Sequence, residues 1–248
     1  MRAVKDCRAD VGIGYDGDAD RIGAVDERGQ VLWGDRLLVL YSRDILAVKP
    51  GSTIISEVKA SQSLYDDIAK RGGRAIMWKT GHSLIKAKMK EEAAVLAGEM
   101  SGHMFFADRY FGYDDAVYAS CRLVEILAKA QQPLSTLVSD LPSSVVTPEI
   151  RVDLPDAVKF DVVDRVRKRF TEYAQTKEGL GPKKLVLQNL ITIDGVRAIF
   201  DDGWGLIRAS NTQPALVLRF EAKSSAQLDV IRALIEYELA AAKRVLGC

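Results

Sequence analysis

Between residues 53 and 130, short apolar runs alternate with amphipathic stretches, and no other feature restricts the fold of this chain as strongly. Thr53–Val58 reads as a strand, Ser61–Arg71 as a helix stopped by Gly72-Gly73, and Arg74–Trp78 as a strand. Leu84–Glu92 reads as a helix, Val95–Gly98 as a strand and Asp114–Ala130 as a helix. Helical crossovers between successive strands suit parallel pairing, because a tight turn can join only antiparallel neighbours. The expectation is an α/β unit built on a mixed, mostly parallel sheet with helices on both faces. The last helix carries apolar residues at Val117, Cys121, Val124, Ile126 and Leu127, and Cys121 is expected in the core.

The flanks differ. Val11–Tyr15 and Ile22–Asp26 read as strands and Gln30–Trp33 as a third short run. Asp35 is expected to cap a helix from about Arg36 to Ala47, ended by Lys49-Pro50-Gly51. The opening residues are too few for a core of their own, so they either join the middle unit or are cut from something longer. Beyond Leu141–Pro148 the pattern changes to strand Glu149–Val152, helix Phe160–Tyr173, three strand-like runs and a closing helix Ser225–Leu246. Asp194-Gly195 and Asp201-Asp202-Gly203 mark turns between those runs. This is an α+β unit, with a domain boundary expected near Ser143. A formal net charge of +1 draws the chain to neither nucleic acid nor an anionic membrane. The apolar runs are strand-sized, and Met1–Asp6 have no signal-peptide character. Cys7, Cys121 and Cys248 lack metal-ligand spacing, and a reducing cytoplasm is the natural setting.

Between the first two strands lie Asp16, Asp18 and Asp20 at i, i+2 and i+4. In extended chain this spacing points three carboxylates the same way, where their repulsion calls for a cation. Mg2+ takes a few carboxylates together with phosphate or water oxygens. Arg21 beside them suits a phosphoryl group close to that metal. A solvated turn is the plain alternative. An EF-hand would need glycine where Arg21 stands, and helices in place of the flanking strands. A haloacid-dehalogenase-type phosphatase would continue its Asp-x-Asp with Gly-Thr or a similar pair, whereas Ala19-Asp20-Arg21 follows here.

Both histidines lie in glycine-bordered loops. Gly98-Glu99-Met100-Ser101-Gly102-His103 follows a strand, where open α/β sheets bind ligands. There Glu99 can accept from two sugar hydroxyls, Ser101 can add a contact and His103 can shuttle a proton; a structural turn with a surface histidine is the plain alternative. His82 opens a helix in Lys79-Thr80-Gly81-His82-Ser83, at an end that attracts anions, although plain capping by Thr80 or Ser83 fits equally. Lys59 is a further strand-end cation. Near the end of the chain, Arg208-Ala209-Ser210-Asn211-Thr212-Gln213-Pro214 joins a bidentate arginine to short donors, a set suited to a phosphate dianion; an ordinary polar hairpin loop is the plain alternative, though it leaves the arginine unexplained.

Taken together, these motifs resemble the α-D-phosphohexomutase superfamily, of the phosphomannomutase/phosphoglucomutase type. Its metal loop usually reads Asp-Gly-Asp-Gly-Asp-Arg, and here Ala19 stands for the second glycine. The sugar loop, the Arg-x-Ser-Asn-Thr-x-Pro loop, Lys59 and Lys79–Ser83 also match. The resemblance implies that residues 1–35 end a second domain, that 36–142 are a third domain and that 143–248 are a TATA-binding-protein-like fourth. It implies Mg2+ on Asp16, Asp18 and Asp20, and sugar and phosphate contacts from Glu99, Ser101, Arg208, Ser210, Asn211 and Thr212. Lys59, His82, His103 and Arg21 would then line the reacting centre, with His103 or Lys59 transferring protons. The expected reaction interconverts glucose or mannose 1- and 6-phosphates through a phosphoserine and a 1,6-bisphosphate, in a monomeric cytoplasmic parent. The family's Thr-Ala-Ser-His-Asn-Pro serine loop does not occur in these 248 residues, so this chain alone is expected to be inactive. Phosphoglucosamine mutase, which usually has Gln where Met100 stands, and a non-catalytic phosphosugar-binding module are the alternatives.

Overall fold

A computed structural model of the chain describes residues 1–176, 179–180 and 184–248. The chain divides into two compact units, Met1–Pro142 and Ser143–Cys248.

The first unit opens with α1 (Arg2–Cys7), which the sequence reading does not anticipate, and an antiparallel sheet of β1 (Val11–Tyr15), β2 (Ile22–Asp26) and β3 (Val31–Leu32). α2 (Gly34–Val48) follows, then β4 (Thr53–Glu57), α3 (Gln62–Lys70), β5 (Arg74–Trp78), α4 (His82–Glu91) and β6 (Leu96–Gly98). β7 (Met104–Phe106), α5 (Ala116–Ala130) and the short α6 (Leu134–Leu137) complete it. The second sheet has the order β5-β4-β6-β7; its first two pairings are parallel, and β7, an unexpected strand, runs antiparallel.

Successive residues of these strands enter different cores. Ile54, Leu96, Met104 and Phe106 pack with α2, α3 and α5, whereas Ile55, Ala97 and Phe105 pack with Ile85 and Met89 of α4. Helices therefore cover both faces, and the strands are apolar at consecutive positions. Asp35 is not the cap of α2. That place belongs to Trp33, and Asp35 is buried in the first turn, where Oδ2 accepts from Ser61 N at 3.1 Å. The buried face of α5 also departs from the expected one. Ala116, Ala119, Ser120, Arg122 and Leu123 are buried, while Val117 and Val124 are about half exposed and Cys121 is exposed. Small residues let α5 approach its neighbours: Tyr41 Oη donates to the Ala119 carbonyl at 2.9 Å, and Tyr15 Oη to Ser120 Oγ at 2.7 Å.

The second unit holds β8 (Val145–Val146), β9 (Ile150–Asp153), α7 (Asp156–Thr176), β10 (Leu187–Ile191), β11 (Val196–Phe200), β12 (Gly203–Ala209), β13 (Ala215–Ala222) and α8 (Ser225–Leu246). Its antiparallel sheet runs β10-β11-β12-β13-β8, with β9 also paired to β13. Four strands follow α7 where three runs are expected, because β12 and β13 are separate arms around the Ser210–Pro214 loop. Alternate residues such as Ala198, Ile207, Leu218 and Phe220 pack on Val162, Val166, Ile231 and Ile235 of α7 and α8. On the opposite face the Arg197 guanidinium lies 3.8 Å from the centre of the Trp204 ring, whose Nε1 donates to Glu221 Oε2 at 2.7 Å. Among the described residues no helix is long and apolar enough to cross a membrane.

Candidate active site

In the first unit two loops are laced together by backbone. Arg21 and His103 form an isolated antiparallel bridge, and Ile22 N donates to the Gly102 carbonyl at 3.1 Å. The 99–103 loop closes on itself, with Glu99 N donating to the His103 carbonyl at 2.9 Å and Gly102 N to the Glu99 carbonyl at 3.0 Å. Gly102 has φ +104°, and a Cβ there would lie 2.4 Å from the Ile22 carbonyl oxygen. Only glycine permits both the conformation and the approach.

Asp16, Asp18 and Asp20 each present a carboxylate oxygen within 4.8 Å of the others. Asp20 Oδ1 is buried and accepts no hydrogen bond, so a cation there would satisfy it. An all-oxygen set of this kind fits a hard divalent ion such as Mg2+. Arg21 braces the loop: its N–H donates to Asp16 Oδ1 at 3.1 Å, its Nε donates to Asp16 Oδ2, and Asp20 Oδ1 is 3.5 Å away. Desolvation pulls the other way, but these Arg21 hydrogen bonds hold the Asp16 carboxyl below its ordinary range. Ala19, inside the loop, sits in the left-handed region at φ 59°.

The residues of the Glu99–His103 loop lie beside it. His103 Nδ1 is 3.7 Å from Asp20 Oδ2 and 3.0 Å from Asp114 Oδ2, and its Nε2 is 4.0 Å from Glu99 Oε2. His82 stacks on His103 with ring centres 5.8 Å apart, and its Nδ1 is 3.6 Å from the same Asp114 oxygen. Lys86 Nζ donates to Asp114 Oδ1 at 3.0 Å. Burial opposes ionisation of Asp114, yet Lys86 and His103 hold its carboxyl below the usual range. Glu99 is buried; its Oε1 accepts from Gly81 N at 2.7 Å, and Ser101 Oγ is 3.5 Å from its Oε2. Burial, and then the nearby Glu57 carboxylate, push Glu99 above the ordinary glutamate range. Lys59 is buried just past β4, with its N–H on Glu57 Oε2 at 2.6 Å. A cleft of about 360 Å³ opens beside these loops, lined in part by Asp16, Arg21, Trp33, Met100 and Ser101.

His82 is the first residue of α4, as expected at a helix start, but neither Thr80 nor Ser83 caps the helix. Thr80 Oγ1 donates instead to Glu57 Oε2 at 3.1 Å. Three charged residues of this cluster escape the sequence reading. Glu57 is the one charge in the run Thr53–Glu57, a signal that was legible. Asp114 is read there as the start of a helix, yet Asp115 is the cap, its Oδ1 accepting from Tyr118 N at 2.8 Å, which leaves Asp114 to face the histidines. Lys86 carries no motif.

The Arg208–Pro214 loop lies in the second unit. Arg208 is buried; its Nε donates to Asp194 Oδ2 at 2.9 Å, while its Nη2 is buried with no hydrogen-bond partner. Ser210 Oγ accepts from Gln213 N at 3.2 Å, so its proton is still available to an acceptor. Asn211 and Thr212 are exposed at the loop tip. The orphaned guanidinium N–H beside these donors fits an anion.

The models "Phosphoglucomutase/phosphomannomutase, alpha/beta/alpha domain III" and "Phosphoglucomutase/phosphomannomutase, C-terminal domain" match residues 33–145 and 149–236. A phosphomannomutase/phosphoglucomutase of Pseudomonas putida is 46% identical over 95% of this chain and 48% of its own length. A phosphoglucomutase of Neisseria meningitidis serogroup A is 44% identical over 94% of this chain and 48% of its own. The crystal structure of a phosphoglucomutase/phosphomannomutase family protein from Burkholderia thailandensis superposes with a TM-score of 0.85 at 42% identity, over 98% of this chain and 49% of that one. The chain thus spans about half the length of the curated relatives it matches.

Proposed function

The chain belongs to the phosphoglucomutase/phosphomannomutase family, and on that premise we propose that it is the sugar-phosphate-holding portion of an enzyme that interconverts hexose 1- and 6-phosphates. The observation that carries this reading is the backbone lacing of the acidic loop to the Glu99–His103 loop through Ile22 N and the Gly102 carbonyl. It holds a cation-suited carboxylate trio against a hydroxyl-binding glutamate.

Asp16, Asp18 and Asp20 would hold Mg2+, which when bound supplies charge neutralisation at a phosphoryl group. Arg21, fixed on Asp16, adds a guanidinium at the same place. Glu99 accepts from two adjacent sugar hydroxyls, a pairing that serves a sugar bound in either direction, and Ser101 supports it. His103, whose Nδ1 stands 3.0 Å from Asp114 Oδ2, presents Nε2 toward Glu99, and either His103 or Lys59 moves a proton there. Lys59 adds positive charge around the phosphoryl group, and His82 lines the reacting centre beside it. In the second unit Arg208, Ser210, Asn211 and Thr212 form a loop suited to a phosphate group. Phosphoryl transfer itself needs the family's serine loop, which these 248 residues do not contain.

The test is a titration of the chain with glucose 1-phosphate in Mg2+, followed by a coupled assay for glucose 6-phosphate. Binding is expected, weakened about tenfold or more in Glu99→Ala as a charge-assisted contact is lost, with no turnover by the chain alone. Turnover by the purified chain, or affinity indifferent to Glu99, would overturn the reading.

A further inference from the structure

Glu57 ends β4, the strand paired in parallel with both β5 and β6, and its side chain is completely buried. A carboxylate in such a place is costly unless hydrogen bonds satisfy it. Here the donors come from three separate loops: Lys59 N at 2.6 Å and Thr80 Oγ1 at 3.1 Å on Oε2, and Met100 N at 3.2 Å on Oε1. Each donor neighbours a group already assigned to the site. Lys59 carries its own ammonium, Thr80 precedes Gly81 and His82, and Met100 stands between Glu99 and Ser101. The strand end is itself fixed, because the Glu57 carbonyl accepts from Tyr65 Oη at 2.8 Å and from Ala60 N at 3.0 Å.

We infer that Glu57 is a positioning residue whose carboxylate clamps the Lys59, Thr80–His82 and Glu99–His103 loops into one sugar-phosphate site. The inference rests on the sugar-phosphate reading above. An acceptor-only group is required, since all three partners donate toward it. In Glu57→Gln the amide nitrogen must face one of them. The Lys59 contact is the shortest and shares its oxygen with Thr80, so the nitrogen turns toward Met100, and the sugar loop is released. Loss of the Glu57 charge also removes a repulsion felt by Glu99.

The experiment measures amide hydrogen exchange by NMR on the parent chain, Glu57→Gln, and Glu92→Gln as a control on an ion pair elsewhere in the unit, together with the affinity of each for glucose 6-phosphate. In Glu57→Gln the Met100 amide is expected to exchange at least tenfold faster while Ile54 and Leu96 keep their rates. Affinity is expected to fall about tenfold, and the Glu99 carboxyl to titrate lower than in the parent. Glu92→Gln should change none of these. Unchanged Met100 exchange overturns the clamp, as does a uniform rise at every amide, which would mean general destabilisation. Released Met100 with unaltered affinity removes the positioning role. A parent chain that binds no hexose phosphate, with Met100 still selectively released in the variant, sinks the sugar-phosphate reading and supports the clamp.

Discussion

A single methyl group at Gly34 tests how tightly the start of α2 is fitted to the Glu99–His103 loop. Gly34 N donates to the Met100 carbonyl at 3.3 Å, and a Cβ built on Gly34 would lie 2.2 Å from the Glu99 carbonyl oxygen and 2.8 Å from that of Met100. Ordinary contacts lie near 3.5 Å, so the helix end and the loop must separate by about 1 Å. Alanine in a helix is otherwise favoured over glycine by roughly 0.5–1 kcal/mol. Overpacking costs about 1–3 kcal/mol and here opposes that gain. Gly34→Ala is therefore expected to lose about 1–2 kcal/mol net. In a unit of this size that lowers Tm by roughly 3–8 °C. Displacement of Glu99 by the same distance is expected to weaken hexose-phosphate binding by up to about a hundredfold. Gly14→Ala is the control, because no atom lies within 4 Å of its Cβ position. Thermal unfolding followed by circular dichroism, with calorimetric titration of glucose 1-phosphate, reads both effects. A Gly34→Ala chain as stable as the parent would refute the steric reasoning.

Three other outcomes are expected. Ala19→Gly relieves a left-handed alanine, a conformation costing about 1–2 kcal/mol, against roughly 0.4–1 kcal/mol for the freer unfolded chain; urea denaturation should show a stabilisation of up to about 1 kcal/mol, and a loss would count against strain in the loop. Glu99 is raised above its unfolded range by burial and by Glu57, so its favourable contribution is complete below the unfolded value and is lost as pH rises through the folded one. Glu99→Gln should accordingly gain stability relative to the parent between acid and neutral pH, and a pH-independent difference would contradict this. Arg208→Ala should raise the Kd for glucose 1-phosphate about ten- to a hundredfold by removing a charge-assisted donor, and Arg208→Lys should not restore it, because the fork geometry is lost; full recovery by lysine would exclude bidentate binding.

Much of the fold was legible because it is written in local period. The bounds of β1, β2, β5 and α8 agree residue for residue with the runs read from the sequence, since each is a patterned segment closed by a turn, a glycine or a cap. β7 is not legible in the sequence, because three apolar residues, Met104–Phe106, have no period to read. The buried face of α5 is not legible in the sequence: Cys121 is more apolar than Ala119 and Ser120, yet close helix packing selects the smaller side chains. Thr80 has the residue type of a helix cap, but the nearby Glu57 carboxylate takes its hydroxyl.

The chemistry of the candidate site divides along the same line. Three aspartates in alternation, a glutamate and histidine about a glycine hinge, and an arginine before Ser-Asn-Thr can be read from order and residue type, because motif chemistry depends on neighbours in the chain. The sequence could not say that Asp114 stands between His82 and His103, that Glu57 joins three loops, or that Gly34 and Gly102 are places of close contact. Those facts depend on groups tens of residues apart in the chain meeting at the ends of β4 and β6, and only the packed structure brings them within hydrogen-bonding distance.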